Sequence, residues 1–255
     1  MKGKPLREHE KTIKVGIIGC GAIGMLIAEA VERRMVVCDE LVIYDFDGEK
    51  SEALKSFLRF PVTVVASLDE MLALKPKVIV EAASQQAVRE YMERIVSAGI
   101  DLIVMSTGAL LNLNVQSNKV HVPSGAIGGI DALSSAALAG IDEIVLTSRK
   151  NPRALDLKNE EAKVVYEGDA AEAARLYPRE MNVAATLALT ARPAKVWVQV
   201  VSDPAVQRNT HEFKVQWRFG EMFLRFANDP HPENPRTSAL AAWSAIKLLQ
   251  TLLLT

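Results

Sequence analysis

The segment KVGIIGCGAIGMLIAEAV, residues 14–31, passes from a β-rich apolar run through three glycines in six residues into a helical pattern. A strand that turns this sharply into a helix opens a βαβ unit, and so commits the chain to a parallel sheet with crossover helices. In that context Gly19 permits the tight turn, Gly21 lets a ligand approach the main chain, and Gly24 lets helix and strand pack closely. The amides at the helix start, where Ala22 and Ile23 stand, form a ready anion site. The turn therefore reads as the cradle of a dinucleotide pyrophosphate. Asp45 adds weight, because it ends the second predicted strand, in LVIYDFD, about 20 residues on, where an acidic side chain hydrogen-bonds an adenosine ribose. A carboxylate there repels a 2′-phosphate and no Arg directly follows it, so NAD is expected to be preferred, with NADP accepted second. The plainer alternative, glycines kept for packing and a solvated Asp45, fits the joint placement less well.

Up to about residue 108 short β-rich runs alternate with helical patterns, as in a doubly wound Rossmann sheet. Strands are expected at 13–18, 41–44, 62–65, 78–80 and 102–105, and helices at 22–34, 48–59, 67–74 and 85–98. Ser67 with Glu70 has the spacing of a capping box, and Gly99 stands where a left-handed cap ends the fourth helix. In such a fold the nicotinamide side of the site lies at the carboxyl ends of the strands. Ala82, Ala83 and Ser84 after the fourth strand, and Ser106, Thr107 and Gly108 after the fifth, are small enough to let a ring and a ribose lie close.

Beyond VPSGAIGGIDALSSAALAG the pattern changes. Runs at 143–149, 195–202, 210–219 and 222–227 follow one another with fewer helices between them, and Phe219-Gly220-Glu221 reads as the bend joining the last two. Val196, Val198 and Val200 alternate with Trp197 and Gln199, so that strand buries one face, although Trp197 blurs the period. The expected fold class is α/β, a doubly wound parallel sheet with a second, smaller α/β domain on an open sheet. The boundaries fall at 1–122 for the dinucleotide-binding domain and 123–235 for the second, with a C-terminal helix over 236–255 docking back on the first.

With 30 Lys and Arg against 31 Asp and Glu, no basic field calls for nucleic acid and no polybasic segment calls for a membrane surface. The charged first eleven residues hold no apolar signal core, and no run is long enough to span a bilayer, which makes the cytoplasm the default. Cys20 and Cys38 lack the spacing of a disulfide framework or a zinc site, so no metal is expected. The partner is expected to be a small molecule.

Hydride transfer to a nicotinamide needs a protein group for the proton, and histidine is suited to that near neutrality. His9 lies in the charged tail, His121 at the domain junction and His231 in the loop NDPHPENP. His211, in QRNTHEFKVQW, begins a strand from which it can project into an interdomain cleft; a structural imidazole is the alternative. Asn182, before an Ala-rich helix, reads either as its N-cap or as an amide facing a carboxylate or the nicotinamide carboxamide. Arg149 and Lys150 are cations at a strand end, where solvation is the usual state.

The segments GCGAIG, EAASQQAV, VMSTGAL, VPSGAIGGIDA, TSRKN, NVAATLAL, NTHE and ENPRTSALAAWSAI, in this order, resemble the archaeal and bacterial L-aspartate dehydrogenase family over nearly the whole chain. The resemblance implies NAD(P)-dependent oxidation of L-aspartate to iminoaspartate, released as oxaloacetate and ammonia or passed to the quinolinate route of NAD synthesis. It also implies a homodimer, with the second domain serving substrate and dimerisation. By the same resemblance the catalytic histidine is His211, and Ala126 and Asn182 contact NAD. Asn182 is the first choice for the substrate carboxylates, with Ser124 and Lys150 behind it. Between STGAL and HVPSGAIGG this chain has only LNLNVQSNK, where the family carries a helix and a longer link. A lost helix or residues absent from the stretch would both give that spacing, and no usable crossover is expected there. The rivals are a dihydrodipicolinate-reductase-like or homoserine-dehydrogenase-like enzyme, and a non-catalytic NAD(H)-sensing protein.

Overall fold

The computed structural model describes residues 12–254 except 114, 116, 179, 180, 232 and 233, with backbone alone for 231 and 234–237. His9 and the charged N-terminal tail lie outside the described residues, as does the His231 side chain.

The first half builds β1 (Lys14–Ile18), α1 (Ala22–Glu32), β2 (Glu40–Tyr44), α2 (Gly48–Phe57), β3 (Val62–Val64), α3 (Leu68–Ala73), β4 (Val78–Glu81), α4 (Gln85–Ser97), β5 (Asp101–Val104), a 3-10 turn (Thr107–Asn112) and β6 (Val120–His121). The six strands pair in the order β3-β2-β1-β4-β5-β6, all parallel, which is the expected doubly wound sheet. Its inner strands β1, β2, β4 and β5 are buried on both faces, so they read as continuous apolar runs. Ser84 caps α4 by accepting from the Ala87 amide, and Gly99 at φ +76° follows that helix as the left-handed terminus.

Two expectations need correction here. Ser67 Oγ accepts from the Glu70 amide, but the Glu70 carboxylate accepts from Ala66 N rather than from Ser67, so the box closes one residue early. The stretch after Thr107 does provide a crossover. The 3-10 turn buries Ala109 and Leu110 in the core, and the chain then returns to pair β6 with β5.

The second half contains α5 (Ile130–Ala139), β7 (Ile141–Lys150), β8 (Lys163–Asp169), α6 (Ala170–Leu176), α7 (Asn182–Thr190), β9 (Trp197–Ser202), β10 (Asn209–Trp217) and β11 (Gly220–Asn228). It ends with the short pair β12 (Pro230–His231) and β13 (Asn234–Ser238), followed by α8 (Ala239–Leu254). The larger sheet runs β11-β10-β7-β9-β8 and is mixed, only β7 and β9 being parallel. Helices α5, α6 and α7 cover one of its faces, packing Leu133, Ala173, Ala185 and Leu187 against Leu146, Val198 and Phe213. Val198 and Val200 of β9 point to that face and Trp197 to the open one, half exposed, which accounts for the blurred period. The β10–β11 turn comes earlier than expected, because Trp217 already pairs with Gly220 and leaves Arg218 and Phe219 as its tip.

Helix α8 does not stay with the second sheet. Its Ala245, Ile246 and Leu249 enter the core formed by β1, α1 and α2. Truncating the fully buried Leu249 to Ala is predicted to cost about 2–5 kcal/mol of stability in urea unfolding. Leu254→Ala, at an exposed end of the same helix, is predicted to cost under about 0.5 kcal/mol. Equal effects would mean that α8 is not part of that core.

Candidate active site

The glycine turn lies at the carboxyl end of β1. Gly19 has φ +101°, and a Cβ there would lie 2.7 Å from the Ala82 carbonyl, so both conformation and space require glycine. A Cβ on Gly24 would overlap the Gly19 carbonyl, so that close packing is between the helix and the turn itself. Gly21, which caps α1 without a side-chain hydrogen bond, faces open space. A Cβ on it would occupy the room beside the first-turn amides that a phosphate needs. Asp45 braces the turn: its carboxylate accepts from Cys20 N at 2.7 Å and from Asp47 N at 2.9 Å.

A groove runs across these strand ends. One part, of about 510 Å³, is lined by Gly19, Tyr44, Asp45, Ser84 and Tyr91. The next, of about 620 Å³, is lined by Gly21, Ala22, Ile23, Ala82, Ala83, Ser84, Ser106 and Asn182. It continues into an inner cleft of about 80 Å³ between the two sheets, lined by Ile23, Thr107, Ala126, Lys150, Asn182 and His211 among others. Most of the expected site residues are thus brought together. Gly108 is not on the groove; it is buried, and its missing side chain makes room for the Gln85 amide. Ser124 is half-buried but does not line the inner cleft, whereas its neighbours Pro123, Gly125 and Ala126 do.

Glu81 was not legible as a site residue. It ends β4 fully buried and accepts from the amides of Ala83, Ser84 and Ser106 and from the Ser106 hydroxyl. Burial pushes its carboxyl above the usual range, while these donors pull it down. One side chain thereby ties together the loops that follow β4 and β5 on the groove. The only sequence signal was an acidic residue closing the apolar run VIV.

The inner cleft is built by strand register. Antiparallel pairing of β10 with β7 sets His211 opposite Ser148, and Ser148 Oγ lies 2.8 Å from His211 Nδ1. Both are buried. With Nδ1 engaged, Nε2 is the ring nitrogen left for the cleft. Burial, together with the nearby Lys150 charge, lowers the His211 pKa to about 3, so the imidazole is neutral near pH 7. Asn182 is the first residue of α7; Met181 is the N-cap, so the capping role is not taken. Its Oδ1 is buried without a hydrogen-bond partner and borders both groove and cleft. An orphaned acceptor calls for a donor rather than for a carboxylate. The N–H groups of a nicotinamide carboxamide meet that need, as the open space at Gly21 meets a pyrophosphate, so the residues present fit NAD.

Two family models match the chain, one described as the NAD binding domain of homoserine dehydrogenase over residues 19–121, the other as aspartate dehydrogenase, C-terminal, over residues 131–252. The L-aspartate dehydrogenase of Archaeoglobus fulgidus is 44% identical over 93% of this chain and 97% of its own length. The chain belongs to the L-aspartate dehydrogenase family. The relative from Methanothermobacter thermautotrophicus is 41% identical over 93% of this chain and 95% of its own. Among solved structures, the aspartate dehydrogenase of Thermotoga maritima superposes with a TM-score of 0.75 at 28% identity, covering 95% of this chain and 97% of that one. A myo-inositol dehydrogenase from Corynebacterium glutamicum, at 14% identity and TM-score 0.53 over 96% and 88%, shares the fold. Among the described residues of this family member, no helix is long and apolar enough to cross a membrane.

The buried histidine makes a prediction about stability. Unfolded His211 titrates near 6.5 and folded His211 near 3, so the unfolded chain binds a proton that the native one refuses, and stability falls as pH drops between those values. Relative to His211→Asn, wild-type unfolding free energy is predicted to fall more steeply by up to about 1.4 kcal/mol per pH unit in that window. Urea unfolding at a series of pH values checks this; parallel curves would contradict a buried neutral imidazole.

Proposed function

We propose that the protein carries out reversible NAD-dependent oxidative deamination of L-aspartate, with NAD along the groove and the amino acid in the inner cleft. The observation that carries this reading is the pairing of a neutral His211 with an orphaned Asn182 Oδ1 at the mouth of one cleft that also holds Lys150. Gly19, Gly21, Ala22, Ile23 and Gly24 hold the pyrophosphate, Asp45 the adenosine ribose, and Ala82, Ala83, Ser84, Ser106 and Ala126 the nicotinamide half. Asn182 takes the carboxamide through its free Oδ1. Bound there, NAD supplies the acceptor for hydride from the substrate Cα, which leaves iminoaspartate.

His211 moves the protons. When Nδ1–H donates to Ser148 Oγ, Nε2 carries the lone pair and serves as general base for the water that attacks the imine carbon. It returns that proton as general acid in the aminating direction. A pKa of about 3 leaves a weak base in the empty cleft, and the two substrate carboxylates raise its basicity as they enter. Lys150 offsets their charge. Oxaloacetate and ammonia are the products in the deaminating direction.

Asp45 supports a preference for NAD, since it and Glu52 and Glu70 border the adenosine end of the groove. The same reading makes residues 1–122 with 236–255 the NAD-binding domain and 123–235 the substrate domain of a cytoplasmic homodimer, with iminoaspartate available to NAD biosynthesis.

His211→Ala is predicted to lower kcat by roughly 10²–10⁴-fold while NADH binding stays within a fewfold. Asp45→Asn is predicted to narrow the ratio of kcat/KM for NAD over NADP by about tenfold or more. Nicotinamide absorbance with L-aspartate, D-aspartate, L-glutamate and L-homoserine tests the reaction itself. Signal with L-aspartate alone supports it. Signal with L-homoserine alone would favour a homoserine-dehydrogenase-like enzyme, and NADH binding with silence throughout would favour a sensor or a reductase of other substrates.

A further inference from the structure

A cavity of about 560 Å³ lies at the β8 edge of the second sheet and shares no lining residue with the groove or the inner cleft. Its floor is apolar. Met181 and Val200 are buried in the second core, and Leu155, Val165 and Tyr166 pack against that core. Two of its walls are tyrosine rings, Tyr166 and Tyr177, which meet edge to face with centroids 5.8 Å apart. The Tyr166 hydroxyl donates to the Asp169 carbonyl, which fixes that ring. Lys158 and Lys163, both exposed, stand on the rim. Among the described residues neither lysine has an ion-pair partner, and no carboxylate lines the cavity. The loop that carries Lys158 is held to the end of β9 by a reciprocal pair: Asn159 Nδ2 donates to the Ser202 carbonyl, and the Ser202 hydroxyl donates to Asn159 Oδ1.

This distribution of groups selects a ligand class. A space of that size takes a small organic molecule, and an apolar floor with a few polar groups at one side is the usual build of such a site. The two tyrosine rings suit a flat aromatic body, which extends their edge-to-face packing. The unpaired rim lysines suit an anionic group that keeps contact with solvent. A sugar or a nucleotide fits poorly, because its polar body would lose water on the apolar floor without gaining partners. We propose that the cavity is a second ligand site, for an aromatic monocarboxylate whose ring lies on Met181, Val200 and the two tyrosines and whose carboxylate lies at Lys158 and Lys163. The site goes beyond the reaction proposed above and does not rest on it. Tyr177 and Met181 line the cavity, whereas Pro178 and Asn182, the residues next to them, line the groove. The two spaces therefore adjoin without overlapping, and a cofactor and this ligand can be held together.

Calorimetric titration of the full chain with 2-naphthoate, and with 2-naphthamide as its uncharged counterpart of the same shape, tests the site with and without saturating NADH. Naphthoate is expected to bind at least about fivefold more tightly than naphthamide. NADH is expected to leave that binding in place. The double variant Lys158→Gln, Lys163→Gln is expected to bring naphthoate down to the affinity of naphthamide, with naphthamide itself changed less than about twofold. Both lysines are exposed, so this variant is expected to fold and to bind NADH as wild type does. Tyr177→Leu is expected to weaken both probes about 2–10-fold. No naphthoate binding by wild type, equal affinity for the two probes, an unmoved naphthoate affinity in the double variant, or full displacement by NADH would each overturn the assignment. Octanoate bound more tightly than naphthoate would put an alkyl chain in place of the ring and overturn it as well. None of these readings needs turnover, so failure here leaves the aspartate reaction standing, and a protein silent with L-aspartate can still show the second site.

Discussion

The hydrogen bond from Thr107 Oγ1 to the Asn182 carbonyl, 2.9 Å long, joins the end of one sheet to the helix layer of the other, and the site depends on that joint. Thr186 Oγ1 donates to the same Thr107 hydroxyl. Nearby, Gln85 Nε2 donates to the carbonyls of Ala174 and Pro178, and Arg192 donates to those of Leu110 and Leu111. Several of these groups are buried, so a shift of one sheet against the other would leave polar atoms unpaired, at a cost of about 1–3 kcal/mol each. The joint is therefore rigid, and it is what places the amino end of α7 beside the glycine turn. The glycine at 108 belongs to it too, because any side chain would displace the Gln85 amide.

How much of this was legible follows from how local each feature is. The glycine turn and Asp45 could be read because strand, turn and helix are consecutive, and the glycine conformations are dictated within six residues. The parallel sheet could be read because both its faces are buried and its strands are uninterrupted apolar runs. Asn182 was misplaced by one position because the choice between cap and first residue was settled by the backbone of Met181, which no side-chain pattern reveals. Strand β8 escaped because its KVVYEGD is half exposed at a sheet edge and carries charge at both ends. The Ser148–His211 pair could not be read at all, since it depends on the register of two strands separated by 63 residues. Family resemblance pointed to His211, and register supplies its buried partner, Ser148.

The electrostatic design of the cleft is asymmetric. On the second sheet a buried lysine and a neutral histidine border a space that has no carboxylate among its described lining residues. On the first sheet a buried carboxyl, Glu81, is spent on holding loops and does not line the groove. In the proposed reaction, a substrate with two carboxylates entering from the groove would meet neutral or positive groups among the described residues of the inner cleft, and its charge would turn a weak imidazole base into a stronger one. In that reading, binding and activation of the base are the same event.

The most direct test is isotope transfer. Wild-type protein is given NAD and L-aspartate deuterated at Cα, and the reduced nicotinamide is examined by mass spectrometry. The account predicts one deuterium on the dihydronicotinamide ring, with none transferred from L-aspartate deuterated only at Cβ. Reduced cofactor without label, or no reduced cofactor from either substrate, would contradict oxidation at the aspartate Cα.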